Sequence, residues 1–154
     1  MVIFLDFDGV LHPEPCYRKE ELFCFLPRFE QVMRQFPEID IVISSSWRET
    51  DDLSALRGHF SNDIAEQLIG VTPTWRDLPE LLERGCDYPR EIEIRAWMRR
   101  EREPWEEWIA IDDRPYWFRP FSKNLVVCNS TTGFDDNASR ALIKTLQSFE
   151  QYRA

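Results

Sequence analysis

The sequence has few of the residues that build disulfide frameworks or zinc sites. Its four cysteines are Cys16, Cys24, Cys86 and Cys128. They lie far apart along the chain without a CxxC pair, and His12 and His59 do not join them at the spacing of zinc ligands. We therefore expect four reduced thiols and no zinc site.

A long apolar run is also absent. The apolar opening of the chain, residues 1–5, ends at Asp6 and Asp8, long before a signal peptide or a membrane segment could form. Internal repeats, low-complexity tracts and linkers are likewise missing from the 154 residues. We therefore expect one domain over residues 1–154 in a cytoplasmic protein, with neither a membrane nor an obligate protein as its partner.

Positive charge is scarce. The chain has 19 basic residues, of which only three are lysines, against 28 acidic residues, and its formal net charge is −9. This balance favours solubility and disfavours unspecific binding to nucleic acid. A polyanionic partner would therefore need a local basic patch.

Strand and helix patterns alternate along the chain. Short apolar runs rich in β-branched residues predict five strands, over 2–5, 39–43, 68–71, 108–111 and 125–127. Helical spacing predicts helices over 26–36, 51–60, 78–83, 89–102 and 136–152. This alternation predicts an α/β fold with a doubly wound, Rossmann-like, parallel five-stranded sheet. In such a sheet the carboxyl ends of the strands meet at one edge, where ligands bind.

Acidic residues follow two of the predicted strands. Asp6 and Asp8 come after the first strand, and Asp112 and Asp113 come after the fourth. Four carboxylates at one edge would repel each other without a cation, and Mg²⁺ suits them because it binds carboxylates, waters and a substrate phosphate. We predict a Mg²⁺ site formed by these four residues. The alternative is that each pair only terminates a turn.

The first acidic pair also suits phosphoryl chemistry. Asp6 ends its strand, and Gly9 gives the backbone freedom for a sharp turn that brings Asp8 to the same site. Asp6 can then attack phosphorus, while Asp8 protonates the leaving oxygen and later deprotonates water.

A serine turn follows the second strand. Hydroxyl and backbone N–H groups of Ser44, Ser45 and Ser46 can hold phosphate oxygens, and we predict Ser44 or Ser45 as the phosphate ligand. A polar turn or helix cap is the alternative for each serine. Trp47 and Arg48 come next, and we predict that they contact the substrate by stacking on a base or holding a second phosphate.

An arginine supplies the positive charge that a phosphoryl transition state requires. Pro89 predicts a helix start, and helix N-termini lie at the ligand edge of a parallel sheet, so Arg90 is the predicted catalytic cation. Arg76 is its rival for this role.

Three segments of the sequence resemble the motifs of one enzyme superfamily. They are Asp6-Phe7-Asp8-Gly9-Val10-Leu11, Ser44-Ser45-Ser46-Trp47-Arg48 and Trp108-Ile109-Ala110-Ile111-Asp112-Asp113. In order and spacing the chain resembles the haloacid dehalogenase-like (HAD) phosphatase superfamily from residue 1 to about 135. It resembles more narrowly the small HAD domains of Swiss-army-knife RNA repair proteins, which share an LDxDGVL opening, an SSSW turn and a DD pair near the end.

The resemblance implies a role for each of these residues: the nucleophile at Asp6, the acid/base at Asp8, phosphate binding at Ser44 or Ser45, and metal binding at Asp112 or Asp113. It also implies a basic residue on the helix before the fourth strand, where this chain has Arg90 and the family usually has lysine. The stretches 10–39 and 47–89 are too short for a large cap domain. A small flap around residues 12–25 is expected instead.

The resemblance implies a Mg²⁺-dependent phosphomonoesterase that forms an aspartyl-phosphate. Its substrate would be a phosphorylated small molecule, a nucleotide or a nucleic-acid end. The alternative is a non-catalytic phospho-acceptor, such as a response-regulator receiver, or a HAD-fold binding module that has lost turnover. A receiver carries its phosphorylated Asp after the third strand, whereas Thr72-Pro73-Thr74 follows that strand here.

Overall fold

A five-stranded parallel sheet forms the centre of the protein. The computed structural model describes residues 1–79 and 87–153. The strands are β1 (Val2–Leu5), β2 (Asp40–Ile43), β3 (Leu68–Val71), β4 (Trp108–Asp112) and β5 (Leu125–Val127). Their order is β3-β2-β1-β4-β5, and every neighbouring pair is parallel. The first strand therefore lies in the middle of the sheet, and the chain crosses from one half of the sheet to the other after β3.

Helices cover both faces of this sheet, as a doubly wound fold requires. They are α1 (Leu26–Met33), α2 (Leu53–Arg57), α3 (Asn62–Ala65), α4 (Pro89–Glu101) and α5 (Asp136–Arg153). Side chains of β1 alternate between two apolar layers because successive residues of a strand point to opposite faces. Ile3 and Leu5 pack with α1 and α5, whereas Val2 and Phe4 pack with α4. The predicted α/β fold is confirmed.

The structure corrects several predicted helix boundaries. The helix predicted over 26–36 ends at Met33. Of the helix predicted over 51–60, only Leu53–Arg57 (α2) is helical. The start is fixed by Asp52, whose carboxylate accepts the N–H of Ala55 at 2.8 Å. The separate helix α3 was not predicted. Most of the helix predicted over 78–83 lies outside the described residues.

The segments that could carry a cap domain contain only short elements. Within the described residues, neither 10–39 nor 47–89 holds a large cap, as predicted. The expected flap, residues 12–25, contains a single 3-10 turn at Lys19–Glu21. None of the described helices combines the length and the apolar character that crossing a membrane requires. Cys16, Cys24 and Cys128 are free thiols, and Cys86 lies outside the described residues.

Candidate active site

Three carboxylates meet at the carboxyl edge of the sheet. Asp6 directly follows β1, Asp112 ends the neighbouring β4, and Asp113 is the next residue. Oxygen atoms of these three side chains lie within 4.8 Å of one another. Asp6 is 4% exposed and Asp112 is 1% exposed, so two of the three carboxylates are shielded from solvent. The parallel pairing of β1 with β4 therefore brings together carboxylates from two distant parts of the chain.

Burial raises the pKa of each carboxyl group in this cluster. Desolvation raises the pKa of Asp6 to about 6 against the attraction of Arg90, and repulsion from Asp113 and Asp8 adds to the rise. Desolvation and the charge of Asp6 hold the pKa of Asp112 well above its usual range. Desolvation also raises the pKa of Asp113.

Two oxygens of the cluster make no hydrogen bond within the described part of the chain, although one of them lies 3.4 Å from Nε of Arg90. Oδ2 of Asp112 and Oδ1 of Asp113 are buried without a hydrogen bond to any of the residues that the structure describes. Buried polar atoms are normally paired, and an unpaired atom indicates a missing ligand or ion. Oxygen atoms of three acidic groups are the donors that a hard divalent cation such as Mg²⁺ prefers. The cluster therefore fits the predicted cofactor.

Asp8 lies outside this three-carboxylate group, although the sequence predicts it as a fourth metal ligand. Its Oδ1 accepts hydrogen bonds from Nε2 of His12 at 2.8 Å and from Nε1 of Trp47 at 3.1 Å. The bond from His12 contributes most to a lowered pKa of Asp8, and the bond from Trp47 contributes further. The side chain of Asp8 is 31% exposed, so it is accessible to a substrate. The exposure and the hydrogen bonds of Asp8 therefore set it apart from the buried carboxylates of the cluster.

The role of His12 was missed by the sequence-based interpretation. Only the four-residue spacing from Asp8 hinted at it, and such a spacing indicates contact within a helix, whereas residues 8–12 form a turn. The N–H of Gly9 donates to the carbonyl of His12 at 2.9 Å, and the N–H of Leu11 donates to the carbonyl of Phe7 at 2.8 Å. These bonds fold the turn back so that His12 reaches Asp8.

Gly9 fits this turn closely against the acidic cluster. Its φ is +75°, in the left-handed region that residues with a side chain rarely adopt. A Cβ atom at this position would collide with the carboxylate of Asp113. The glycine of the DxDG pattern is therefore required twice: for its left-handed backbone conformation and for the space that Asp113 occupies beside it.

The serine turn lies beside the cluster, after β2. The N–H of Ser44 donates to the carbonyl of Leu5 at 2.9 Å, which fixes the turn to β1. The hydroxyl of Ser45 accepts the N–H of Trp47 at 3.4 Å and caps the 3-10 helix Ser46–Glu49. Ser44 and Ser45 are buried, whereas Ser46 is exposed. The Ser44 hydroxyl makes no hydrogen bond within the described part of the chain, so it remains free to bind a phosphate.

Arg90 reaches the same edge from the first turn of α4. It is 6% exposed, its Nε lies 3.4 Å from Oδ2 of Asp112, and its Nη1 donates to the carbonyl of Ser44. Burial alone would lower its pKa, but the attraction of Asp6, Asp112 and Glu93 outweighs this effect and raises it. Arg90 is therefore a permanent positive charge between the acidic cluster and the serine turn.

Arg76 occupies a different position. Its side chain is 62% exposed and lies 3.4 Å from Glu49 in an ion pair. A cavity of about 260 Å³ is lined by both Arg76 and Arg90 and by Trp75 and Trp117. Of the two candidate arginines, Arg90 is the one beside the acidic cluster.

Arg48 is a structural residue in this fold, in contrast to the predicted substrate contact. Its side chain is 2% exposed, and Nη2 lies 2.8 Å from Glu93 in a buried ion pair. Its other nitrogens donate to the carbonyls of Ser44, Ser45 and Thr72 at 3.2, 2.7 and 3.0 Å. The Arg48 guanidinium therefore anchors the serine turn through its carbonyls. Its nitrogens are all engaged, so none is available to bind a second phosphate.

Trp47 also differs from its predicted role. Its indole N–H is bonded to Asp8, and its ring packs among the rings of Phe7, Phe23 and His59 at centroid distances of 5.8, 5.3 and 5.6 Å. The Trp47 ring therefore supports Asp8 and the flap residue Phe23, which differs from the predicted stacking on a base.

Comparison with known proteins agrees with this geometry. The family model described as the HAD domain in Swiss Army Knife RNA repair proteins matches residues 2–138. No match was found among curated proteins or among solved structures. The matched region contains both acidic pairs, the serine turn and Arg90. The chain belongs to the family of HAD domains found in Swiss Army Knife RNA repair proteins.

Proposed function

We propose that this protein is a Mg²⁺-dependent phosphomonoesterase that uses Asp6 as its nucleophile. The observation that carries the proposal is the cluster of Asp6, Asp112 and Asp113, whose oxygens lie within 4.8 Å at the ligand edge of the sheet. Membership of the HAD family supports a role related to phosphate-ester hydrolysis. Burial and mutual repulsion raise the pKa values of the three carboxyl groups even beside Arg90, so a divalent cation would stabilise their ionised forms.

Asp6, Asp112 and Asp113 are the residues that would hold Mg²⁺. When bound, the ion neutralises these carboxylates and draws electron density from the phosphate oxygens. Arg90 adds a second positive charge next to the cluster, and the free hydroxyl of Ser44 supplies a donor for a phosphate oxygen. Together these groups bind the phosphoryl group and stabilise the charge on its transition state.

The reaction then proceeds in two displacements. In the first, an oxygen of Asp6 bonds to phosphorus while the bond from phosphorus to the leaving oxygen breaks, and Asp8 gives that oxygen a proton. In the second, Asp8 takes a proton from water, the resulting hydroxide attacks phosphorus, and the bond to Asp6 breaks to release phosphate. Asp8 ends the cycle protonated, ready for the next leaving group.

The substrate we propose is a phosphorylated small molecule, a nucleotide or a nucleic-acid end. The RNA repair proteins that contain this domain favour a nucleic-acid end. The cavity lined by Trp75 and Trp117 supports a substrate with an aromatic base, because indole rings can stack on bases and Arg76 and Arg90 line the same space. The net charge of −9 favours a small substrate over a long polyanion.

Replacement of Asp6 tests the mechanism. The variant Asp6→Asn should lose Mg²⁺-dependent hydrolysis of 4-nitrophenyl phosphate and should form no acid-stable phosphoenzyme after rapid quenching with labelled substrate. Asp136→Asn is a matched control, because Asp136 is an exposed residue paired with Arg28 at the start of α5. Full Mg²⁺-dependent activity of Asp6→Asn would exclude the covalent mechanism.

A panel of phosphomonoesters tests the substrate class on the unaltered protein. Pairs of compounds that differ only in the base, such as a nucleoside 5′-phosphate and ribose 5-phosphate, should show a lower KM for the member with the base. Oligonucleotides with a 3′ or 5′ phosphate test the nucleic-acid end in the same assay. Absence of turnover on every compound, with phosphate still bound, would favour the non-catalytic binding module.

A further inference from the structure

We propose that His12 is a positioning residue that holds Asp8 in the orientation required for proton transfer, an inference that rests on the proposed function. His12 belongs to the turn after β1, and Trp47 belongs to the 3-10 helix after β2. Both residues donate a hydrogen bond to the same atom, Oδ1 of Asp8. Within the described residues no hydrogen bond engages the other oxygen of Asp8, which leaves that oxygen available for proton transfer.

The imidazole ring of His12 is itself fixed from its other side. Nδ1 of His12 accepts the backbone N–H of Phe23 at 3.4 Å, so Nε2 is the nitrogen that donates a hydrogen bond to Asp8, at 2.8 Å. His12 therefore connects Asp8 to the backbone of the flap. A hydrogen bond on the second nitrogen is the common means by which proteins fix the orientation of a functional histidine.

Aromatic rings shield His12 from water. His12 is 1% exposed, and the rings of Phe23 and Trp47 lie 5.2 and 5.7 Å from it. The imidazole therefore holds Asp8 from the buried side, whereas the side chain of Asp8 is 31% exposed on its other side. Loss of the imidazole would leave the carboxylate of Asp8 held by Trp47 alone and free to rotate. Even a small misorientation of a reacting group lowers the reaction rate strongly.

If His12 positions Asp8, the effect of removing His12 on the rate depends on the leaving group of the substrate. A poor leaving group needs a proton as its bond to phosphorus breaks, whereas a good one leaves without help. If His12 positions Asp8, its removal should slow phenyl phosphate far more than 4-nitrophenyl phosphate. A residue that only stabilises the fold would slow both substrates by the same factor.

The experiment compares kcat/KM for a series of substituted phenyl phosphates in three variants. For His12→Leu, which removes the donor, we expect a loss of roughly 100-fold with phenyl phosphate and less than about 10-fold with 4-nitrophenyl phosphate. His12→Gln, whose amide can place an N–H near the position of Nε2, should restore much of the activity with phenyl phosphate. His59→Leu is the matched control, since His59 is the other histidine of the chain, is exposed, and stacks on Phe23 at 4.3 Å.

A second variant keeps the test decisive if His12→Leu does not fold. His12→Phe keeps a ring in the aromatic cluster but removes the donor to Asp8, and it should steepen the dependence on the leaving group in the same direction. An unchanged dependence in His12→Leu, or in His12→Phe where the first variant is unfolded, would overturn the positioning role. Asp8→Asn in the same series separates the two proposals. If Asp8→Asn slows phenyl phosphate far more than 4-nitrophenyl phosphate and the His12 variants do not, only the positioning role fails. If the wild-type protein shows no hydrolysis at all, the proposed function fails with it.

Discussion

A side chain at Gly9 would disturb both the backbone of the turn and the acidic cluster beside it. We expect Gly9→Ala to lower the free energy of unfolding by about 1–2 kcal/mol, because an alanine must adopt a left-handed conformation there. The new methyl group would also displace the carboxylate of Asp113. Activity should fall by about 100-fold, as is typical when a reacting group is misplaced. Urea unfolding and kcat/KM in the folded protein measure the two effects separately.

Gly70 provides the control for this substitution. A Cβ atom at Gly70 would meet the ring of Trp97 at 3.5 Å, which is an ordinary van der Waals distance, and Gly70 lies in β3 at the edge of the sheet. Gly70→Ala should therefore leave kcat/KM close to the wild-type value. A Gly9→Ala protein with full activity would show that the position of Asp113 does not matter to catalysis.

Single residues also show why the site could be predicted only in part. Asp6 and Asp112 were predictable because the ends of neighbouring parallel strands determine where their carboxylates lie. The contact of His12 with Asp8 depends on a turn closed by backbone hydrogen bonds, which leave no periodic pattern in the sequence. Arg48 looked like a free cation beside the serine turn, but its partner, Glu93, is 45 positions away in the sequence. Such a long-range pair is visible only once α4 is packed on the sheet.

At the scale of elements, the ion pair between Arg48 and Glu93 joins the serine turn to α4. Both side chains are buried, and Glu93 also accepts the N–H of Trp75 at 3.0 Å. Because removal of Arg48 leaves a buried carboxylate without its main partner, Arg48→Met should lower the free energy of unfolding by about 3–5 kcal/mol. The exposed pair of Arg28 and Asp136 is the control, and Arg28→Met should cost at most about 1 kcal/mol.

A double variant separates the charge effect from the loss of packing. Glu93→Gln keeps an acceptor for Trp75 but removes the unpaired negative charge, so Arg48→Met combined with Glu93→Gln should recover part of the stability lost in Arg48→Met. Urea unfolding of all three variants measures this coupling. If the two losses simply add, the ion pair contributes little and Arg48 acts mainly through the carbonyls of the serine turn.

The elements themselves were predictable to different degrees. The strands were predicted to within one residue at each end, because buried parallel strands appear as uninterrupted apolar runs. Helix ends depend on caps, and the side chain of Asp52 moved the start of α2 two residues beyond the predicted one. Helix α3 spans four residues, about one turn, and is too short to give a periodic signal.

At the scale of the whole molecule, the acidic cluster links stability to pH and to metal. The pKa of Asp6 is about 6 in the folded protein, above its ordinary value of 3.8, and the pKa values of Asp112 and Asp113 shift in the same direction. At these three groups the metal-free folded state therefore binds more protons than the unfolded state, and the contribution of Asp6 to stability falls as the pH rises through the window from 3.8 to about 6. For Asp6 alone, this shift corresponds to a cost of about 3 kcal/mol above that window.

Mg²⁺ should remove this cost only where the carboxylates are ionised. We expect millimolar Mg²⁺ to raise the Tm clearly at about pH 7.5 and much less at about pH 5, where protons compete with the ion for the same oxygens. Asp112→Asn should raise the Tm of the metal-free protein at the higher pH and abolish most of the response to Mg²⁺, because it removes one buried charge and one ligand together. Thermal unfolding followed by circular dichroism at both pH values, with Ca²⁺ and Na⁺ at matched ionic strength, distinguishes a specific site from screening. A Tm that rises equally at both pH values, or equally with Na⁺, would mean that no divalent cation binds between β1 and β4, and the phosphoryl chemistry proposed for Asp6 would lose its electrostatic basis.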